Sequence, residues 1–260
     1  AQAAALSANS VEALSTASVA ALSSSQIKAM SKEAVTALTT AQVQALSTTA
    51  VAALSSAQVA TLSSAEVALL STGQIKALDT SQVKGLAASG ISSFNTAQMA
   101  ALSTGQVASL TAAQVKVLTT ANIVALSTAQ VAALSTAQVA ALTTGQVQAI
   151  ATDDVQALTT SAVAALSTAQ VQALSTAAVN ALTTAQVTSL TTAQVASLTT
   201  GEVAALNTSQ VASLTTGQVQ SLTVPQLTVL SNAQVSALTT TQVGALTSTQ
   251  LYGLVTAAHQ

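Results

Sequence analysis

The chain has 260 residues, half of them apolar, with one Phe, one Tyr, no Trp and no Cys. Charged residues make up 5%, against roughly 25% in an ordinary soluble domain, and five Lys against seven acids leave a net charge of −2. Disulfides and thiolate metal sites are excluded; there is no basic patch or aromatic stacking set for nucleic acid, and titratable groups are too sparse for ordinary acid–base or metal catalysis.

Mean hydropathy is +0.60, yet Ser or Thr pairs interrupt the chain every eight residues, so no apolar run approaches the ~18 residues of a membrane span. From Ala1 onward there is no charged segment followed by an apolar one of the kind that directs export. The chain reads as a mature protein or an excised fragment. Its repeat starts at Leu6. Stepping by eight from there to Leu254 gives 32 large apolar residues, all Leu except Met30, Phe94 and Ile150. Stepping by eight from Val11 to Leu251 gives Val at 24 of 31 positions, the others being Ile, Leu or Met. No insertion breaks the register, so residues 1–260 are expected to form one continuous repeat domain, regular over 6–254.

The unit is L-[ST]-T-A-Q-V-A-A, as in Leu134 to Ala141. The residue after Leu is Ser, Thr, Asp or Asn in 29 of 31 copies, the exceptions being Ala87 and Ala151. Three residues later comes Gln or Glu in most copies. This is the spacing of a capping box, in which the hydroxyl accepts from the N3 amide and the N3 side chain reaches back to the cap amide. Nineteen copies have the strict S/T-x-x-Q/E form. Leu at N′ and Val at N4 supply the hydrophobic staple. A complete helix start therefore recurs in every octad. Thr dominates N1, small residues N2 and N6. The variable N5 position holds Lys28, Lys76, Lys84 and Lys116 and is expected to face water.

A continuous helix turns ~100° per residue, so its apolar stripe would precess ~80° per octad and could not serve a coiled coil. In a strand, alternating spacings of five and three would put Leu and Val on opposite faces. The spacing predicts an all-α fold: a tightly wound α-solenoid, or superhelical spiral, of very short helices of six or seven residues, one per octad, bent at each cap. Burying one Leu and one Val yields roughly 3–6 kcal/mol, while ordering each residue costs about 1–2 kcal/mol. A lone octad is far below the ~12–15 residues at which isolated helices become marginal. Octads must therefore stack and couple to their neighbours. Two or three octads per turn both satisfy the pattern.

Taken in chain order, the residues that break the pattern have structural readings. Glu66 and Glu202 replace Gln in the capping box. Asp79, Asn95 and Asn207 stand at caps, although Asn207-Thr208-Ser209 also matches a glycosylation sequon. Residues 87–93 lack both the cap and the Gln, predicting a loosened or bulged coil filled by Phe94. Asp153 and Asp154 read as first-turn acids favoured by the helix dipole, Pro225 fits a first helical turn, and His259 reads as a frayed end. No catalytic, cofactor-binding or metal-ligating residue is assigned.

The repeat L-[ST]-T-A-Q-V-x-A over residues 6–254 resembles Ala/Thr-rich octapeptide repeats of large bacterial secreted or surface proteins of the adhesin-like and RTX type. The resemblance implies an extracellular or cell-surface stalk, spacer or filament segment, without cofactor or enzymatic activity. Neither end of the array carries a distinct polar octad, so the expected partner is a second copy end to end, or a continuation of the array. Regular Thr rows that bind ice or a polysaccharide are the alternative.

Overall fold

A computed structural model describes residues 8–257; Leu6, Ser7 and His259 lie outside the described residues. The backbone groups into two compact units, Ala1–Ala133 and Leu134–Gln260. The described residues form 31 helices and no strand. All but the last are four to six residues long, slightly shorter than the sequence predicts.

The corner explains the difference. In the helix Thr136–Ala141, Ser135 is extended (φ −73°, ψ 161°), and its hydroxyl accepts from the Gln138 amide while the Gln138 side chain accepts from the Ser135 amide. At the other end the Leu142 amide closes a tight turn onto the Val139 carbonyl at 3.2 Å. Leu142 itself is then extended (φ −59°, ψ 142°), and the next cap follows at once. Two consecutive extended residues thus make each corner, and Leu is withdrawn from the helix it ends. No described residue has a positive φ, so glycine is not needed to turn the chain.

Within each unit, every helix packs on the helix three before it. Thr16–Ala20 lies against Thr40–Ala45 in the first unit; in the second, Thr160–Ala164 lies against Thr184–Ser189, which in turn lies against Thr208–Ser213. Each coil therefore contains three octads, the larger of the two numbers that the sequence permits. Small N6 residues let the coils close up. A Cβ on Gly85 would meet the Ser56 carbonyl oxygen at 2.9 Å, 29 residues earlier in the helix beneath.

The core of each unit is the two apolar columns. From Val35 to Leu230, residues of the Val column are 0–3% exposed and those of the Leu column 3–7%. Caps, N1 and N5 face water, as expected. Phe94 is not beside a bulge: it is buried at a Leu position, and its amide makes the usual turn bond to the Ile91 carbonyl at 3.1 Å. The helix Ala88–Ser92 is in register with its neighbours because Phe replaces Leu on the inner column without displacing the corner.

The cap hydroxyl is not what bends the chain. Ala87 (φ −60°, ψ 148°) and Ala151 (φ −63°, ψ 147°) adopt the same extended corner without any side-chain cap bond. Packing of the flanking Leu and Val suffices to set the bend, and the hydroxyl adds to it by satisfying an N-terminal amide. Ala87→Ser and Ala151→Ser should each raise stability by about 1 kcal/mol. Chemical denaturation of the two variants measures this, and an unchanged midpoint in both would show that those amides gain nothing from a cap.

Candidate functional site

The feature that recurs through both units is built on the N3 glutamine. Its Oε1 serves the local corner, and its Nε2 serves the coil beneath. Gln194 is representative. Its Oε1 accepts from the Thr191 amide at 2.7 Å, and its own amide donates to Thr191 Oγ1 at 3.1 Å. Its Nε2 donates to the carbonyl oxygens of Leu166 at 2.6 Å, Val163 at 3.1 Å and Ala164 at 3.3 Å. In the first unit, Gln98 repeats the pattern over Leu70 (2.7 Å), Val67 (3.0 Å) and Ala68 (3.1 Å).

The geometry follows from the corner. The Val carbonyl already accepts the amide of the corner Leu. The Leu carbonyl falls in the break between two helices, and no main-chain amide among the described residues donates to Leu70 or Leu166. It is a buried acceptor that a glutamine 28 residues later satisfies. The ladder therefore runs along the corners, and the glutamines that form it are buried, most at 1–4% exposure. A second, exposed set of bonds runs the other way from N5. Gln172 Nε2 donates to the Ser197 carbonyl at 2.7 Å, and Asn180 Nδ2 to the Ala205 carbonyl at 2.7 Å, each 25 residues ahead.

The capping box was legible in the sequence; the ladder was not, although a signal for it was present. A capping box accepts Glu as readily as Gln, and the helix dipole favours Glu near the N-terminus. Twenty of the 31 N3 residues are nonetheless Gln and only two are Glu. An excess of the amide over the acid means that the second side-chain atom must donate.

The exceptions show what the amide does. Glu66 and Glu202 complete their capping boxes, as the sequence predicts. Glu202 is 2% exposed, however, and its Oε1 has no hydrogen-bond partner. This is the atom that corresponds to Nε2 of a glutamine, and the ladder's spacing sets it over the Val171 and Leu174 carbonyls. Asn122 is one carbon shorter and reaches only the Phe94 carbonyl, at 2.9 Å. Ala50, Gly90, Ala162 and Ala178 leave gaps in the ladder.

The other polar residues that the sequence picks out are helix-start groups. Asp79, Asn95 and Asn207 each accept from the N3 amide as caps. Asp153 and Asp154 stand in the first turn of Thr152–Val155, Asp154 buried. Pro225 is in the first turn of Val224–Thr228. Among the described residues no three His, Cys, Asp or Glu side chains converge where they could hold a metal ion. No described helix is long and apolar enough to cross a membrane. The grooves between coils, such as that lined by Thr80, Ser81, Lys84 and Ser109, are shallow and open to solvent.

Eight stretches of the chain, at residues 35–64, 75–112, 91–128, 111–144, 120–152, 147–184, 171–200 and 225–256, match the ALTTAQ repeat. The chain belongs to the ALTTAQ repeat family. The six letters stand unaltered at Ala37 to Gln42 and at Ala181 to Gln186, and they spell one corner: the withdrawn Leu, the Thr cap and the laddering Gln. The Gln186 copy closes onto Leu158 at 2.7 Å and the Gln42 copy onto Leu14 at 2.7 Å. No curated protein matches the chain.

Two outcomes follow for the ALTTAQ corner. Glu202→Gln should restore two or three hydrogen bonds to the coil beneath and raise stability by about 1–2 kcal/mol, while Gln194→Glu, which replaces a buried donor with an acceptor that faces the carbonyls beneath, should lower it by about 1–3 kcal/mol. Denaturation curves of the pair measure both, and equal stabilities would deny the amide its role. The second concerns acid. The Ser81 hydroxyl, and after it the Gln82 amide, hold the Asp79 carboxyl below its ordinary value of 3.8. A lowered folded-state value stabilises the fold above about pH 3.8 and is lost as pH falls through it. Asp79→Asn keeps the cap, so its stability should fall less than that of the parent on acidification; parallel thermal melts at neutral and acid pH read the difference.

Proposed function

We propose that this ALTTAQ repeat protein is a non-enzymatic structural segment, an extracellular stalk or spacer of a bacterial surface. The single observation that carries the reading is the glutamine ladder. Within each unit it ties coil to coil through buried amide bonds, so neighbouring coils are held in a fixed register. A chain that devotes its few polar interior groups to that purpose keeps none for chemistry. The resemblance to octapeptide repeats of secreted and surface proteins supports a location outside the cell.

A spacer must hold a distance. Because the chain has no Cys, spin labels can be placed uniquely at Thr168→Cys and Thr240→Cys, on one column of the second unit. Pulsed dipolar spectroscopy should give a narrow distance distribution. Deleting the three octads Thr191–Leu214 between them should shorten the distance by one discrete step and leave the distribution narrow. A broad distribution, or a distance that does not step, would overturn the spacer reading.

A further inference from the structure

The second unit contains three acids, Asp153, Asp154 and Glu202, and no Lys or Arg; His259 lies outside the described residues. Glu202 thus has no described basic side chain in its own unit, although it is only 2% exposed. One half of its carboxylate is accounted for. Oε2 accepts from the Thr199 amide, and the Glu202 amide donates to Thr199 Oγ1 at 3.2 Å. The other oxygen, Oε1, is buried and has no hydrogen-bond partner.

The rungs on either side define what surrounds Oε1. Gln194 Nε2 stands 2.6 Å from the Leu166 carbonyl oxygen and 3.1 Å from that of Val163; Gln210 Nε2 stands 2.7 Å from Leu182 and 2.9 Å from Val179. The same steps of 28 and 31 residues set Oε1 of Glu202 over the carbonyls of Leu174 and Val171. The Val171 carbonyl accepts the Leu174 amide at 3.0 Å, and no described main-chain amide reaches the Leu174 carbonyl. One carboxylate oxygen and two carbonyl oxygens therefore converge at a buried corner whose neighbours on both sides are bonded shut. An unpaired charge in such a place is strongly unfavourable, and a set made of oxygens alone is what a hard cation selects.

We propose that Glu202 Oε1 and the carbonyls of Leu174 and Val171 bind a monovalent metal cation, sodium or potassium. The cation replaces the amide NH2 of the other rungs and joins this corner to the coil beneath. Its charge follows from the donor count. One carboxylate balances one positive charge, and Ca²⁺ takes about six to eight oxygens, more than this corner supplies. Transition metals favour nitrogen or sulfur donors, and the corner has neither. Two of the three ligands are main-chain atoms, so no cluster of acidic side chains marks the site. Glu66 holds the equivalent place over Val35 and Leu38, but it is less enclosed, at 7%, and its unit contains all five Lys. The site stands apart from the structural-segment reading and does not depend on it.

Denaturation of the full chain at neutral pH, in sodium or potassium chloride against choline chloride at equal ionic strength, tests it. Choline is too large to enter the corner and controls for screening. In choline the parent should be less stable than Glu202→Gln. The metal salts should narrow that gap, the parent's folding constant rising in proportion to 1 + [cation]/Kd. Glu66 is common to both chains and cancels in the comparison. Adding Gln194→Glu to Glu202→Gln moves the acid over Leu166 and Val163 and should return the response. Should that double variant fail to fold, sodium nuclear relaxation supplies a second reading: it should be faster with the folded parent than with Glu202→Gln. Equal responses of the parent and Glu202→Gln, equal relaxation, or a folded double variant that does not respond would overturn the site. So would a gap that acid closes and metal salts do not, since a proton would then occupy Oε1. None of these outcomes bears on the spacer reading, which the distance measurement decides.

Discussion

One hydrogen bond organises the molecule: the glutamine Nε2 donating to a leucine carbonyl 28 residues earlier. Its need arises from the octad itself. A helix of five or six residues has almost as many end groups as interior ones, and each end leaves backbone groups without helical partners. The N-terminal amides are served locally by the Ser or Thr cap. The corner carbonyl has no local donor, and it is buried between coils, where an unsatisfied acceptor is costly. A solenoid of such short helices is tenable only if most corners find a donor from the next coil. Gln is the side chain that can accept from its own corner and donate to the one below.

The same bond explains how a thin core suffices. Each octad buries little beyond one Leu and one Val, and neither column contains more than a few residues larger than Leu. The apolar columns supply the drive for stacking, which is non-directional. The ladder supplies the register: a coil that slipped by one octad would still align Gln with Leu, but one that slipped by a single residue would lose every amide bond at its corners. Apolar packing and directional bonding thus divide the work. Ala87 and Ala151 show that packing alone can form a corner, and Ala50, Gly90 and Ala178 show that single gaps in the ladder are tolerated when the neighbouring corners are intact.

Much of this fold could be read from the chain. The helix start at each octad, the caps at Asp79, Asn95 and Asn207 and the two buried columns all follow from interactions within four residues, which a local pattern encodes directly. The number of octads per coil does not, because every octad looks like its neighbours, and a period of two or three octads leaves no trace in a uniform repeat. The second function of Gln escaped for the same reason: Oε1 acts three residues away and Nε2 acts 28 away. Only the preference for Gln over Glu betrays the distant partner. Around Phe94, the missing cap and missing Gln pointed to a bulge. A large side chain on the inner column keeps the register even where both polar signals are absent.

The most direct measurement is a through-hydrogen-bond scalar coupling in NMR, between the Nε2 of Gln194 and the carbonyl carbon of Leu166, combined with exchange of the Gln194 side-chain amide protons. A detectable coupling, with side-chain amide protons that exchange as slowly as the core backbone amides, is what the ladder requires. No coupling, with amide protons exchanging as fast as those of a solvent-exposed glutamine such as Gln26, would show that the coils are not joined at their corners.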